Sequence, residues 1–225
     1  MQTLPQITDK LFKGKFADRQ VATINWMKGL NNDYNFGFLI SGYKLAYETL
    51  IEQAIQISDE EIIEKDYLIN PILYCLRHFI ELICKDTIRK FNMAFQKTNT
   101  DEIGFEQTHD NSVLFKKIVD IFEKYKPEYT LEIRTDNFKT ELLATSQIID
   151  ELNSYDQYSF SFRYLYKRAN DLNDKIKETI TETSVDLNNL KAIAEKLVFM
   201  LSCLNSEASA FRSAEKTRID YGIIV

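Results

Sequence analysis

Residues 70–91, NPILYCLRHFIELICKDTIRKF, place Arg77, Glu81, Lys85 and Arg89 at every fourth position, with His78 beside them. Side chains four apart share one face of a helix, so these residues form a charged ladder. The chain has only two histidines, and the second, His109, precedes Asp110 in THDNSVLFKKI. A histidine held near a carboxylate and cations can move a proton while the cations steady a developing negative charge. Two plainer readings compete. The ladder could be a solvated face whose Arg77–Glu81 and Glu81–Lys85 pairs contribute about 0.2–0.5 kcal/mol each, or a buried Arg-His-Glu network that only fastens helices. A His-Asp pair before a helix is more often a capping turn than a catalytic pair. In FRYLYKR, Arg163, Lys167 and Arg168 stand among tyrosines, Tyr164 included. That pattern fits a solvated strand edge or a surface that stacks bases and neutralises phosphates.

Other chemistries find little support. Cys75, Cys84, Cys203, His78 and His109 lack the spacing of a zinc site. There is no GxSxG elbow and no GxxxxGK[ST] or GxGxxG loop, so neither metal nor nucleotide cofactor is expected. The formal net charge of −6 argues against a duplex-binding surface spread over the whole molecule and confines nucleic-acid contact to a local patch. Three cysteines without a CxxC fit buried thiols in a reducing compartment. No apolar run looks long enough to span a bilayer, and MQTLPQITDKLFKGK lacks the apolar middle of a signal peptide. A cytoplasmic protein with no membrane contact is expected.

The elements that must position these residues are helical. With 225 residues, 44% of them hydrophobic, one sizeable core is within reach, and six glycines and three prolines interrupt it rarely. An all-α fold follows, with residues 1–34 an N-terminal arm packed on a helical domain of residues 35–225. From Phe38 to about Gln56, Leu39, Tyr43, Ala46, Tyr47, Leu50 and Ala54 share one side. Ser58 and Glu61 suggest a capping box for a short helix towards Tyr67, and Asn70–Pro71 a fresh start for the ladder helix, with Ile72, Leu76, Phe79 and Ile83 inward. NSVLFKKIVDIFEKY directs Val113, Ile118, Ile121 and Phe122 inward, and Pro127 ends that helix. Asp136 caps a further helix that buries Phe138, Leu142, Ile149 and Leu152. Alternating aromatics from Tyr158 to Tyr166, followed by KIKETITETS, suggest a small β-hairpin insertion around residues 157–184. Asp186 then opens a heptad-spaced seam, Leu187, Leu190, Ala194, Leu197, Leu201, Leu204, Ala208 and Phe211, which serves either a core helix or a homodimer contact.

Taken in order, RHFIELICK, THDNSVLFKKI and FRYLYKR resemble the helical pattern of HEPN-domain proteins over about residues 38–212. The pattern is an ExxxK-type stripe, then a threonine-histidine-aspartate turn entering the next helix, then an arginine-tyrosine segment. The resemblance implies a four- or five-helix bundle, usually dimeric, of bacterial antiviral defence, abortive-infection or toxin-antitoxin systems, where many members cut RNA without metal. Metal-free RNA cleavage needs a base, an acid and a cation. The candidates are His78 and His109 as acid and base and Arg77, Lys85 or Arg163 as the cation, with Glu81 in the same ladder, if the fold brings them together. Asp110, Arg163, Tyr164, Lys167 and Arg168 are candidates for contacting RNA or a partner protein encoded with it. Catalytic members carry an arginine followed four to six residues later by a histidine. Here His78 follows Arg77 directly, and the residue five after Arg163 is Arg168. The alternative is a non-catalytic HEPN-like subunit that binds a partner protein or a nucleotide.

Overall fold

The computed structural model describes residues 32–58, 62–95, 104–105, 107–125, 138–156, 161–163 and 184–220. Five helices carry nearly all of them: α1 (Asn32–Gln56), α2 (Ile62–Phe95), α3 (Asn111–Tyr125), α4 (Phe138–Tyr155) and α5 (Leu187–Asp220). No strand occurs among the described residues, so the all-α expectation holds. Most of the region expected as a hairpin lies outside the described residues, and the part within it, residues 161–163, is a turn. The expected arm of residues 1–34 also lies outside them, apart from the first turn of α1, as do Pro127 and the Asp136 cap. By backbone contacts the chain divides into Met1–Gly37 and Phe38–Val225, and the charged ladder with everything packed against it belongs to the second unit.

Two 34-residue helices, α2 and α5, make the most extensive pairing, and α3 and α4 complete a ring of contacts α2–α3–α4–α5. The α5 seam is the reason. Ala194, Leu197, Leu201, Leu204, Ala208 and Phe211 are buried within the chain and Leu187 and Leu190 partly so, so most of the seam serves the core. Each leucine or phenylalanine so removed from water contributes roughly 1.5–3 kcal/mol. Aromatic rings tie the layers together: Phe91 of α2 meets Phe122 of α3 edge-on at 5.4 Å and Phe211 of α5 at 5.2 Å. Asp186 caps α5, its Oδ1 accepting hydrogen bonds from the Asn188 and Asn189 amides.

The sequence expectation of two helices before residue 91 is corrected: α2 runs unbroken through Pro71. Proline forfeits the bond its amide would give to the carbonyl of Tyr67. Pro71 and Tyr67 are both exposed, so water can serve that carbonyl. On either side the apolar face of α2 continues, and its packing outweighs the local cap signal. Ile72, Leu76, Phe79 and Ile83 are buried as their spacing requires. Val113 and Leu39, expected inside, are exposed; Val113 lies in the first turn of α3, turned away from the buried Leu114, Ile118 and Ile121.

A second correction concerns the apolar length of α2. Ile63–Ala94 is long and apolar enough, by length and composition, to cross a membrane, and half of its most apolar window is buried inside the bundle. It also carries Arg77, Glu81, Lys85 and Asp86, all buried. Core packing thus accounts for its composition. Below the ladder, Asp86 accepts hydrogen bonds from Arg89 at 2.6 Å and from Asn205 of α5 at 3.0 Å, and Lys90 reaches Asn205 Oδ1 at 2.7 Å. A polar clasp therefore fixes the register of α2 against α5.

Candidate functional site

The ladder is not a solvated face. Arg77 is 0% exposed, and Glu81 and Lys85 are buried with it; Arg89 joins the clasp with Asp86 instead. Buried charges persist only when paired and hydrogen-bonded, and these are. Arg77 donates through NH1 to Glu81 Oε2 at 3.1 Å and through Nε to the Asp156 carbonyl at 2.8 Å, just beyond α4. Its NH2 donates to the carbonyl of His109. One guanidinium thus joins α2 to the entry of α3 and the exit of α4. Asn111 returns the contact by donating to the Arg77 carbonyl at 3.1 Å.

Glu81 is the centre. Its Oε1 accepts from Lys85 Nζ at 3.0 Å and lies 2.8 Å from His109 Nδ1. Its Oε2, besides meeting Arg77, lies 3.9 Å from His78 Nδ1, too far for a hydrogen bond. Burial alone would raise the Glu81 pKa, but hydrogen bonds from Lys85, His109 and Arg77 outweigh it and hold the carboxyl below its ordinary 4.5. Glu81 is therefore ionised at neutral pH. An ionised carboxylate only accepts, so the His109 nitrogen facing it carries a proton. The His109 side chain is 57% exposed, which leaves Nε2 as the nitrogen able to exchange a proton with a bound molecule.

The THDN turn explains why His109 points this way. Thr108 Oγ1 accepts from the Asp110 amide at 3.2 Å, and Asp110 Oδ1 accepts from the Val113 amide at 3.1 Å as the N-cap of α3. The same oxygen takes a bond from Asn153 of α4 at 3.0 Å. Asp110 is thus the capping residue the plainer reading expected, and capping sets the backbone from which His109 reaches Glu81. Asp110→Ala is expected to lower stability by about 1–2 kcal/mol, read from the urea midpoint, since it removes the cap together with the Asn153 acceptor.

His78 has a different environment. Its ring stacks on Tyr74, with centroids 5.8 Å apart and planes 8° from parallel, and meets Tyr43 of α1 edge-on at 4.3 Å. The Arg163 guanidinium lies over the Tyr74 ring, 5.6 Å from its centroid. Burial lowers the His78 pKa below 6.5; Glu81 opposes this, while Arg77, Lys85 and Arg163 reinforce it. The ring is neutral at pH 7.

The fold therefore brings Arg77, Glu81, Lys85 and His109 into direct contact and sets His78 and Arg163 beside them. Tyr164, Lys167 and Arg168 lie outside the described residues. Sequence reasoning missed Asn111, Asn153, Asp156, Tyr43 and Tyr74. Asn153 had a signal: it falls on the buried stripe of Phe138, Leu142, Thr145 and Ile149 in α4, where a polar residue needs a partner. Among the described residues no group of three or more His, Cys, Asp or Glu is placed to hold a metal ion.

The carboxylates give the site an acid limit. Asp86, like Glu81, is held below its ordinary value: burial would raise it, but bonds from Arg89, Asn205 and Lys90 prevail. Both carboxyls are more acidic in the fold than in the unfolded chain. Their stabilisation is complete above the ordinary values and is lost as pH falls from 4.5 towards the folded values. Urea midpoints between pH 7 and pH 3 should decline in that window, and Glu81→Gln should shrink the decline.

No family model, no curated protein and no solved structure matches the chain.

Proposed function

We propose that the chain is a HEPN-like protein of a bacterial antiviral defence or toxin-antitoxin module, acting in the cytoplasm as a metal-independent ribonuclease. One observation carries this reading: Glu81 holds His109 by Nδ1 while most of the imidazole faces solvent. In that tautomer Nε2 takes the proton of a ribose 2′-hydroxyl, and the 2′-oxygen attacks the adjacent phosphorus. The 5′-oxygen then leaves, taking a proton from solvent water while His109 returns its own to solvent, giving a 2′,3′-cyclic phosphate. Lys85, which is bonded to Glu81, and the exposed Arg163 are the cations that would meet the phosphorane charge. Arg77 is enclosed by protein acceptors and acts as a positioning residue for Glu81 and the His109 backbone. The test is cleavage of single-stranded RNA in chelator by the purified chain and by His109→Ala.

A second reading has its own observation. Arg77 bonds the carbonyls of His109 and Asp156 as well as Glu81, which is how a fastening network is built. In a non-catalytic subunit the same cluster would hold α2, α3 and α4 together while the face around Tyr74 and Arg163 binds a partner protein or a nucleotide. Both readings accommodate a homodimer, although most of the α5 seam is taken up by the core.

A further inference from the structure

The junction of α1 with α2 contains a group that the cleavage chemistry does not use. His78 Nδ1 is buried with no hydrogen-bond partner. The charged and titratable groups around it are Tyr43 from α1, Tyr74, Arg77, Glu81 and Lys85 from α2, and Arg163 from the turn at residues 161–163. Glu81 Oε2 is the nearest anion, at 3.9 Å. That distance is about 1 Å beyond a charge-assisted hydrogen bond, and Glu81 already answers Arg77, Lys85 and His109. A proton arriving on His78 therefore meets three cations and a carboxylate already engaged.

Tyr43 covers the ring from α1 and is itself only partly buried, next to Tyr74 at 6.4 Å. The fully buried residues of α1, Tyr47, Ile51 and Ala54, lie further along the helix, while Ile40 and Tyr43 pack against the core only partly buried. The His78 side chain is 25% exposed, so the ring can take up a proton in the closed fold, while its buried Nδ1 gains a water partner only if the Tyr43 end of α1 lifts, a local opening that leaves the core of α2 to α5 closed.

We infer that the Tyr43–His78 contact is a proton-operated latch: protonation of His78 favours release of the Tyr43 end of α1 from α2 and uncovers the Tyr74–His78–Arg163 face. Linkage sets the sign. His78 binds a proton less readily in the closed fold than in water, so docking of α1 is strongest above pH 6.5 and weakens as pH falls below it. This window lies well above the one in which Glu81 and Asp86 titrate, so the two effects separate. The latch stands on these contacts whether or not the protein cuts RNA.

Native-state hydrogen exchange of the full chain between pH 7.5 and pH 5.5, corrected for intrinsic rates, tests it. Protection of α1 amides around Tyr43 should fall by up to about tenfold per pH unit below 6.5, as one proton taken up on opening requires, while α5 protection stays level. His78→Phe, which keeps an aromatic ring, should hold α1 protection constant over that range, and His78→Gln serves if the phenylalanine variant does not fold. An NMR titration of the wild-type ring should place its pKa below 6.5. The latch is overturned if α1 and α5 lose protection together, if the variant keeps the pH dependence, or if the ring titrates at or above 6.5.

Discussion

Arg77→Leu should lower the free energy of unfolding by about 3–5 kcal/mol, the range seen when one partner of a buried ion pair is removed and the other remains. Burial is the cause: Arg77 is 0% exposed and joins Glu81 of its own helix to two carbonyls, those of His109 and Asp156. Its loss leaves those carbonyls and the freed side of Glu81 short of donors, each costing about 1–3 kcal/mol, with part recovered by relaxation and entering water. Against a typical stability of about 5–15 kcal/mol the variant is expected to be folded but fragile. Urea unfolding reads the loss directly. Arg77→Leu combined with Glu81→Leu should cost less than the two single changes added together, because the pair stands or falls as a unit. A loss under about 0.5 kcal/mol, as for an ordinary surface change, would return the ladder to the solvated role that its spacing alone allows.

That spacing shows what was legible and what was not. A residue's place on a helical face is written in the near sequence, so the seam from Ala194 to Phe211 and the inward set of Ile72, Leu76, Phe79 and Ile83 could be read directly. Which face the charged ladder turned could not. Arg77, Glu81 and Lys85 have the same period whether water or protein lies opposite, and what lies opposite comes from 28 and 79 residues away, in His109 and Asp156. The start of α2 was misread for a related reason. Asn70–Pro71 is a sound local signal for a cap, but the apolar face runs past it on both sides, and packing overrides local propensity. At His109–Asp110 the capping reading holds: Asp110 caps α3, and in doing so aims His109 at Glu81. Tyr43 and Tyr74 gave no sign of enclosing His78, since aromatics at helical spacing look like ordinary core.

The difference between holding and reacting is what His109→Ala separates, and here the largest effect is expected: a loss of about 10² to 10⁴-fold in RNA cleavage, the usual cost of removing a general acid or base. The substrate is single-stranded RNA with chelator present, and the product ends should be 2′,3′-cyclic phosphates. The His109 ring is 57% exposed and its backbone carbonyl, not its ring, meets Arg77, so the alanine variant should keep its fold while losing its activity. Arg77→Leu reverses that pattern, weakening the fold first. Glu81→Gln supplies the intermediate case: an amide can still meet His109 Nδ1 but no longer holds one tautomer by charge, so the rate should drop less than in His109→Ala and its pH profile should change shape. Equal cleavage by wild type and His109→Ala would identify a contaminating nuclease. An inert wild type would instead leave the Arg77–Glu81–His109 cluster as the clasp of a binding subunit. Activity abolished by chelator alone would defeat the metal-independent step while leaving the histidine's role to the variant comparison.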